Sequence, residues 1–423
     1  MGLLKGPLDW ARAYLQALRQ LNRDVRLFMV SVVVSGASYM GLYFLLINLY
    51  LLRLGYDLKF IGLFVSIGAF SFAFFSLPAG AVGRRWGSRK PMICGLAVLS
   101  LGLAMLGLTA LVPVPWRAPW LIFFCALREC GNAFYIVNSN PYLMQVTSPV
   151  ERDYAFSVRA MLTPLAGFLG ALAGGWLPAA SALLLGRAGD DPLNFMLPLL
   201  LAAGLLVPGL VALVRTREPE MPGPTEVSRP RGDRPMEPFV TIAAISLLFI
   251  VAASAGQSFY HVYLDTVLKA STQLIGGIAS CGQLLSAAAM LASPALMRRW
   301  GHGRMFVLMA LGMGLIIVPM ALVGHWLVVG LSVMGLVALM SFASTALTVF
   351  HQELVPTVWR SAMSGACLMA MGLGWGLVAS GGGYFIATWG WSSFFLCGAG
   401  ATWMGAAIFW LRFVRGRPGP VAA

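Results

Sequence analysis

The stretch Pro78-Ala79-Gly80-Ala81-Val82-Gly83-Arg84-Arg85-Trp86-Gly87 closes one apolar run. Far down the chain Pro294-Ala295-Leu296-Met297-Arg298-Arg299-Trp300-Gly301 closes another, its Arg-Arg-Trp-Gly end displaced by 214 residues. A second pair of turns repeats at an offset of 207. There Pro149-Val150-Glu151-Arg152-Asp153-Tyr154-Ala155-Phe156-Ser157 parallels Pro356-Thr357-Val358-Trp359-Arg360-Ser361-Ala362-Met363-Ser364. Two matched turns in the same order imply a duplicated unit.

Working outward from these turns, apolar runs lie at roughly 25–52, 60–83, 91–112, 119–146, 156–179, 193–214, 239–264, 273–297, 305–323, 326–350, 361–387 and 391–411. Each is near the length of about 20 residues that crosses a hydrocarbon core. The chain is 423 residues, 59% hydrophobic and 10% charged, with a mean hydropathy of +0.81. A soluble domain of this size does not carry that balance. The expected fold is an all-α membrane protein of about twelve transmembrane helices in two six-helix bundles. Prolines inside the runs, such as Pro78, Pro164, Pro208, Pro294 and Pro319, are compatible with membrane helices.

The net charge of +14 invites a nucleic-acid reading, but its placement argues against one. With both termini in the cytoplasm, 23 Lys and Arg residues fall on cytoplasmic segments and 5 on the opposite loops, with Arg128 left inside a span. This is the positive-inside pattern of a plasma (inner) membrane protein, and only secondarily a contact for anionic lipid. Residues 215–238, rich in proline, glycine and charge, read as a cytoplasmic linker. The expected divisions are an N-terminal segment 1–24, a bundle 25–214, the linker, a bundle 239–411 and a tail 412–423. The amphipathic N-terminus lacks the pattern of a removable signal. All six cysteines fall in apolar runs without disulfide or zinc spacing. Phosphate-loop, metal-ligand and catalytic-triad spacings are missing too, so neither an enzyme nor a cofactor is expected.

Charged side chains deep in a span are costly and usually functional, which singles out Arg128 and Glu129 near the middle of span four. Glu129 suits a proton carrier, with Arg128 as the charge that sets its proton affinity or as an anion contact. The plainer reading is a structural ion pair, although adjacent helical residues point about 100° apart. Asn132, Tyr135, Asn138 and Asn140 continue the helix, either as a cavity wall or as bonds between helices. In span seven Gln257, Tyr260 or His261, and Asp265 repeat at helical spacing, and span one offers Tyr39, Tyr43 and Asn48 in the corresponding place. Asp265 also reads as an outer-loop acid beside Lys269. His351, Gln352 and Glu353 read as a solvated helix end.

Six plus six helices, a long middle loop and the basic turn Gly80-Ala81-Val82-Gly83-Arg84-Arg85-Trp86-Gly87-Ser88-Arg89-Lys90 resemble the major facilitator superfamily. Where that family carries an aspartate in this turn, Arg84 stands instead. The resemblance implies a cytoplasmic gate made by Gly80, Arg84, Arg85, Gly87 and Arg89, with Glu151 or Asp153 supplying the missing negative charge. Arg128-Glu129-Cys130-Gly131-Asn132 is similar to the family's helix-four pattern of arginine, glutamine and glycine, with the glycine one place early. Pro164, Gly167, Gly170, Gly174 and Gly175 give the glycine run of drug-exporting members without their glycine-proline pair. The resemblance implies a secondary active transporter working by alternating access, with proton-coupled export of a small organic molecule as its first reading. Proton-coupled uptake of a sugar, organic acid or other metabolite, and a non-transporting lipid-handling or receptor-like role, are the alternatives. The expected partners are membrane lipid, the substrate and protons, for a chain acting as a monomer.

Overall fold

The computed structural model describes residues 22–217, 236–355 and 360–415; most of the expected N-terminal segment, linker and tail lies outside them. In order come α1 (Arg23–Arg53), α2 (Leu58–Trp86), α3 (Arg89–Leu111), α4 (Val114–Val146), α5 (Pro149–Leu185) and α6 (Leu193–Val214). The second half holds α7 (Met236–Ser258, continued by Tyr260–Thr266), α8 (Thr272–Trp300), α9 (His302–Leu322) and α10 (Trp326–Leu354). The continuous stretch Arg360–Phe409 is two helices joined at Gly390 (φ 80°), giving α11 (360–389) and α12 (391–414). By length and hydropathy the described residues give 11 apolar segments, and the bend at Gly390 divides the last into the expected eleventh and twelfth spans. No strand occurs among the described residues.

The repeated turns share one geometry. Gly87 (φ 84°, ψ 159°) ends α2 and Gly301 (φ 75°, ψ 156°) ends α8, a conformation that a side chain strongly disfavours. The duplication seen in the sequence is thus also a duplication of backbone.

Lipid tails do not drive apolar helices together, so close backbone approach must supply the contact. Glycine allows it here. A Cβ built on Gly95 of α3 would stand 2.6 Å from the carbonyl oxygen of Gly131 on α4. The glycine run of α5 serves two neighbours, with Gly170 against Ala37 of α1 and Gly175 against Gly276 of α8. On α2, Gly62 meets Ala379 of α11, whose Gly383 meets Leu58 in return. The halves therefore join along α5 with α8 and α2 with α11.

The turns at Gly87 and Gly301, with the ends of α6 and α7 that lead to the linker, define a linker face. Gly55 and Gly186 lie at the opposite, far face. At the far face Arg53 of α1 grips Asp265 of α7 through two bonds of 2.8 and 2.6 Å. Asn48 Nδ2 donates to the carbonyl of Ser258 (2.8 Å), and the Lys59 ammonium sits 5.2 Å from the Tyr384 ring. Nearer the middle, α2 still touches α11 where Ala73 meets Gly372. Towards the linker face α2 is exposed along Phe74, Leu77, Ala81, Arg84 and Arg85. The halves are clasped at one face.

A side chain at Gly276 would collide with Gly175, its Cβ lying 2.6 Å from that Cα. Gly276→Val should therefore wedge α8 from α5. In a background with the exposed Cys94, Cys281 and Cys397 replaced by serine, Ser258→Cys should then react faster with a bulky maleimide. Unchanged labelling would contradict the packing described.

Candidate functional site

The site is built on α4, where Arg128 and Glu129 lie near the middle of the helix and are 3% and 6% exposed. Although their Cβ atoms diverge, the long side chains bend together, and Arg128 Nη2 lies 2.7 Å from Glu129 Oε1. The poor facing of adjacent residues expected from the helix is overcome by side-chain reach. Glu129 also accepts from Tyr39 Oη (2.6 Å) and from Asn132 Nδ2 (2.9 Å). The carboxylate is thus held by three partners from two helices.

Arg128 is less well provided for. Its guanidinium lies 4.1 Å from the Tyr43 ring and 5.2 Å from that of Tyr39, and Nη2 points at Cys125 Sγ. Its buried Nε and Nη1 make no hydrogen bond. Donors left unmet in this way cost about 1–3 kcal/mol each. Room for the pair comes from Gly68 of α2, where a Cβ would stand 3.4 Å from Arg128 Nη2, and Gly102 of α3, where it would stand 2.7 Å from Arg128 Cβ. Both charges pack inside the first bundle, behind the tyrosines of α1.

Those tyrosines sit on irregular backbone. Gly36–Tyr43 is π-helical within α1, a form that recurs at functional sites. Its counterpart α7 is interrupted at Phe259 (φ −122°, ψ −1°). Both halves thus carry an irregular first helix. Phe44 is one turn before Asn48 on the same face of α1; since Asn48 crosses to α7, that face looks toward the second bundle. Phe44 itself remains 37% exposed and touches the Tyr39 and Tyr43 rings edge-on. One short segment of α1 therefore links the buried charges to the inter-bundle surface.

Other candidates serve different ends. Tyr135 Oη bonds Ser31 Oγ of α1 (3.0 Å), and Asn138 Nδ2 donates to Ala79 O of α2 (3.1 Å), with Gly83 packed against it. Asn140 is bound by Arg159 of α5, which also reaches Ser139 Oγ (2.7 Å). These residues tie helices together. Arg159 is partly exposed near the linker-face ends of α4 and α5 and links the two helices.

In the second bundle Gln257 Nε2 lies 3.0 Å from Met340 Sδ, while Tyr260 and His261 are buried with ring centroids 3.7 Å apart. None of the three meets Arg128 or Glu129; they belong to the opposite half. Asp265 corrects an expectation, because its partner is Arg53 across the halves and not Lys269. Near the linker face, Glu151 completes a capping box with Ser148, and Arg89 donates to Val214 O (2.6 Å) at the end of α6 and to Thr216 Oγ1 (3.2 Å) just beyond it. Arg84 and Arg85 are exposed, Gly80 packs near Val137, and the side chain of Asp153 lies outside the described residues. At the end of α10 Glu353 is exposed, as a solvated helix end would have it, and pairs with His302 (3.0 Å), whereas His351 is buried; the Gln352 side chain is outside the described residues.

Tyr39 is the residue that the candidate set undervalued. Its spacing from Tyr43 was visible, but its bond to Glu129 depends on how α1 and α4 cross.

Apolar helices in two bundles, the first enclosing a buried charge pair, define a multi-pass membrane protein of the transporter class. The chain belongs to the Major Facilitator Superfamily, which matches residues 27–379. It is 27% identical over 214 residues to the multidrug resistance protein MdtH of Shigella flexneri serotype 5b (strain 8401), covering 46% of this chain and 50% of that protein. With MdtH of Salmonella typhimurium (strain LT2) it shares 26% over 201 residues, covering 43% and 48%. The chain thus spans about half the length of the curated relatives it matches. Its fold is similar to that of the nucleoside transporter NupG (TM-score 0.72, 15% identity, covering 93% of this chain and 100% of that one). It is similar also to a D-xylose-proton symporter (TM-score 0.73, 14% identity, 92% and 97%).

The Arg53–Asp265 pair yields a prediction. Charge-assisted hydrogen bonds are worth about 1.5–3 kcal/mol, so Asp265→Asn should loosen the far-face clasp measurably. Arg53→Asp combined with Asp265→Arg should restore it. The readout is far-face labelling of Ser258→Cys, and equal labelling in all three proteins would show that the pair does not hold the halves.

Proposed function

We propose that this protein is a proton-linked exporter of small, fairly apolar organic molecules, acting by alternating access with its linker face in the cytoplasm of an inner membrane. The observation that carries the reading is Glu129 held at mid-helix between Arg128 and Tyr39, with Tyr39 borne on the π-helical part of α1. Protonation of Glu129 would cancel its attraction for Arg128. It would also weaken the bond from Tyr39, because a neutral acid accepts less strongly than a carboxylate. The segment carrying Tyr39, Tyr43 and Phe44 would then be free to shift, and Asn48 one turn on would carry the shift to the clasp with α7. Proton and substrate can thereby act on the same movement from opposite faces.

Export is favoured by the names of the relatives matched over about half their length, which are multidrug resistance proteins. Exposed Phe44 and Met40 on α1 suit apolar cargo. The cytoplasmic placement of the linker rests on the 23 to 5 charge division. In this placement the clasped far face is the outer one, and the arrangement is that of a carrier open to the inside.

Glu129→Gln keeps the shape of the side chain but fixes it neutral. It should abolish transport driven by a pH gradient in vesicles while leaving substrate binding or exchange measurable. Full gradient-driven accumulation by this variant, where the parent accumulates substrate, would overturn the coupling role. Orientation is checked separately: a tag placed in the 215–238 linker should be shielded from impermeant reagents in intact cells.

A further inference from the structure

Two grooves open on the outside of the bundles, and they differ in charge. The first, about 540 Å³, lies at the far face and is lined by Leu108, Leu111, Val112, Pro113, Trp116 and Trp120. Its neighbouring cation is already engaged, because Arg117 donates to the carbonyls of Val112 (2.9 Å) and Ala110 (3.0 Å). The second, about 450 Å³, lies between α9 and α12 towards the linker face, with Arg304, Leu308, Leu311, Ala406, Ala407 and Trp410 in its wall. Small side chains at 406 and 407 make the depression. Trp403 Nε1 donates to the carbonyl of Leu311 (3.1 Å) and holds the two helices at a fixed spacing.

The open end of this second groove is cationic. Arg304 and Arg415 are exposed, the latter 5.7 Å from the Trp410 ring, and neither has an acidic partner among the described residues. Arg412 is instead bound by Glu237 at the start of α7, so the cationic pair is Arg304 with Arg415. Leu308 and Leu311 stay 48% and 42% exposed along the floor. An apolar floor of this kind accepts a hydrocarbon chain, a tryptophan marks the level where chain meets headgroup, and unpaired guanidiniums just beyond it select negative charge.

We infer that this groove is a binding site for an anionic phospholipid of the linker-side leaflet, with one acyl chain along Leu308, Leu311 and Ala407. The phosphate rests on Arg304 and Arg415, and Trp410 packs at the glycerol level. A zwitterionic lipid brings the same phosphate, but also an ammonium that the two arginines repel. The far-face groove lacks this selection, its arginine being committed to backbone.

The test uses the full chain purified in detergent, with phosphatidylglycerol or phosphatidylcholine of identical acyl chains added, and counts retained lipid by native mass spectrometry. The parent should retain phosphatidylglycerol roughly tenfold better, the scale set by one or two basic residues at a membrane surface. Arg304→Gln with Arg415→Gln should erase that preference, whereas Arg298→Gln with Arg299→Gln, at the exposed end of α8, should preserve it. Ala407→Trp fills the groove without touching charge and should lower retention of the anionic lipid too. The inference fails if the Arg304/Arg415 variant keeps the preference or if the Arg298/Arg299 variant loses it equally. It also fails if inorganic phosphate alone displaces the retained lipid, which would mark a free-anion site.

Discussion

The interaction on which the rest depends is the contact between a carboxylate and a guanidinium buried inside the first bundle. Taking each ion from water costs several kcal/mol even after relaxation, so the surroundings must return most of that through short bonds. Glu129 receives them from Arg128, Tyr39 and Asn132. Arg128 receives aromatic faces and one anion, and keeps two unmet donors.

Around this contact the packing is arranged by small residues. Gly68 and Gly102 admit the two side chains, and Gly95 with Gly131 brings α3 against α4 just beside them. Because α1 is π-helical at Tyr39 and Tyr43, both rings reach the charges while Phe44 and Asn48 face outward from the bundle. The same α5 that seats α1 through Gly170 seats α8 through Gly175. A movement at the charge pair thus has short mechanical routes, through α1 and through α5, to the surface where the halves meet. Glycine contacts of this kind hold by van der Waals packing alone, so the polar bonds that must yield for the far face to open are those of Asn48 and Arg53 with α7.

Much of this was legible in the sequence. Hydropathy gave the spans, and the repeated Arg-Arg-Trp-Gly turns gave the duplication that Gly87 and Gly301 realise with one backbone conformation. A mid-span charge is costly wherever it stands, so Arg128 and Glu129 could be chosen from depth alone. What pattern could not supply was partnership. Asp265 has Lys269 four positions away in the chain, yet its partner is Arg53 on another helix, 212 positions away. Tyr39 and Arg159 were each visible as residue types but acquired meaning only from helix crossings. Asn138 and Asn140 read equally well as cavity wall or cross-link until the backbone of α2 and the side chain of Arg159 were placed beside them.

The central claim is that the protonation state of Glu129 sets how the two bundles sit. The most direct measurement is the distance distribution between spin labels on Arg85→Cys and Arg299→Cys, at the linker-face ends of α2 and α8, followed by double electron–electron resonance across pH. The account predicts a distribution that shifts with pH when Glu129 is present and loses that dependence in Glu129→Gln. An identical pH-dependent shift in the glutamine variant would contradict it.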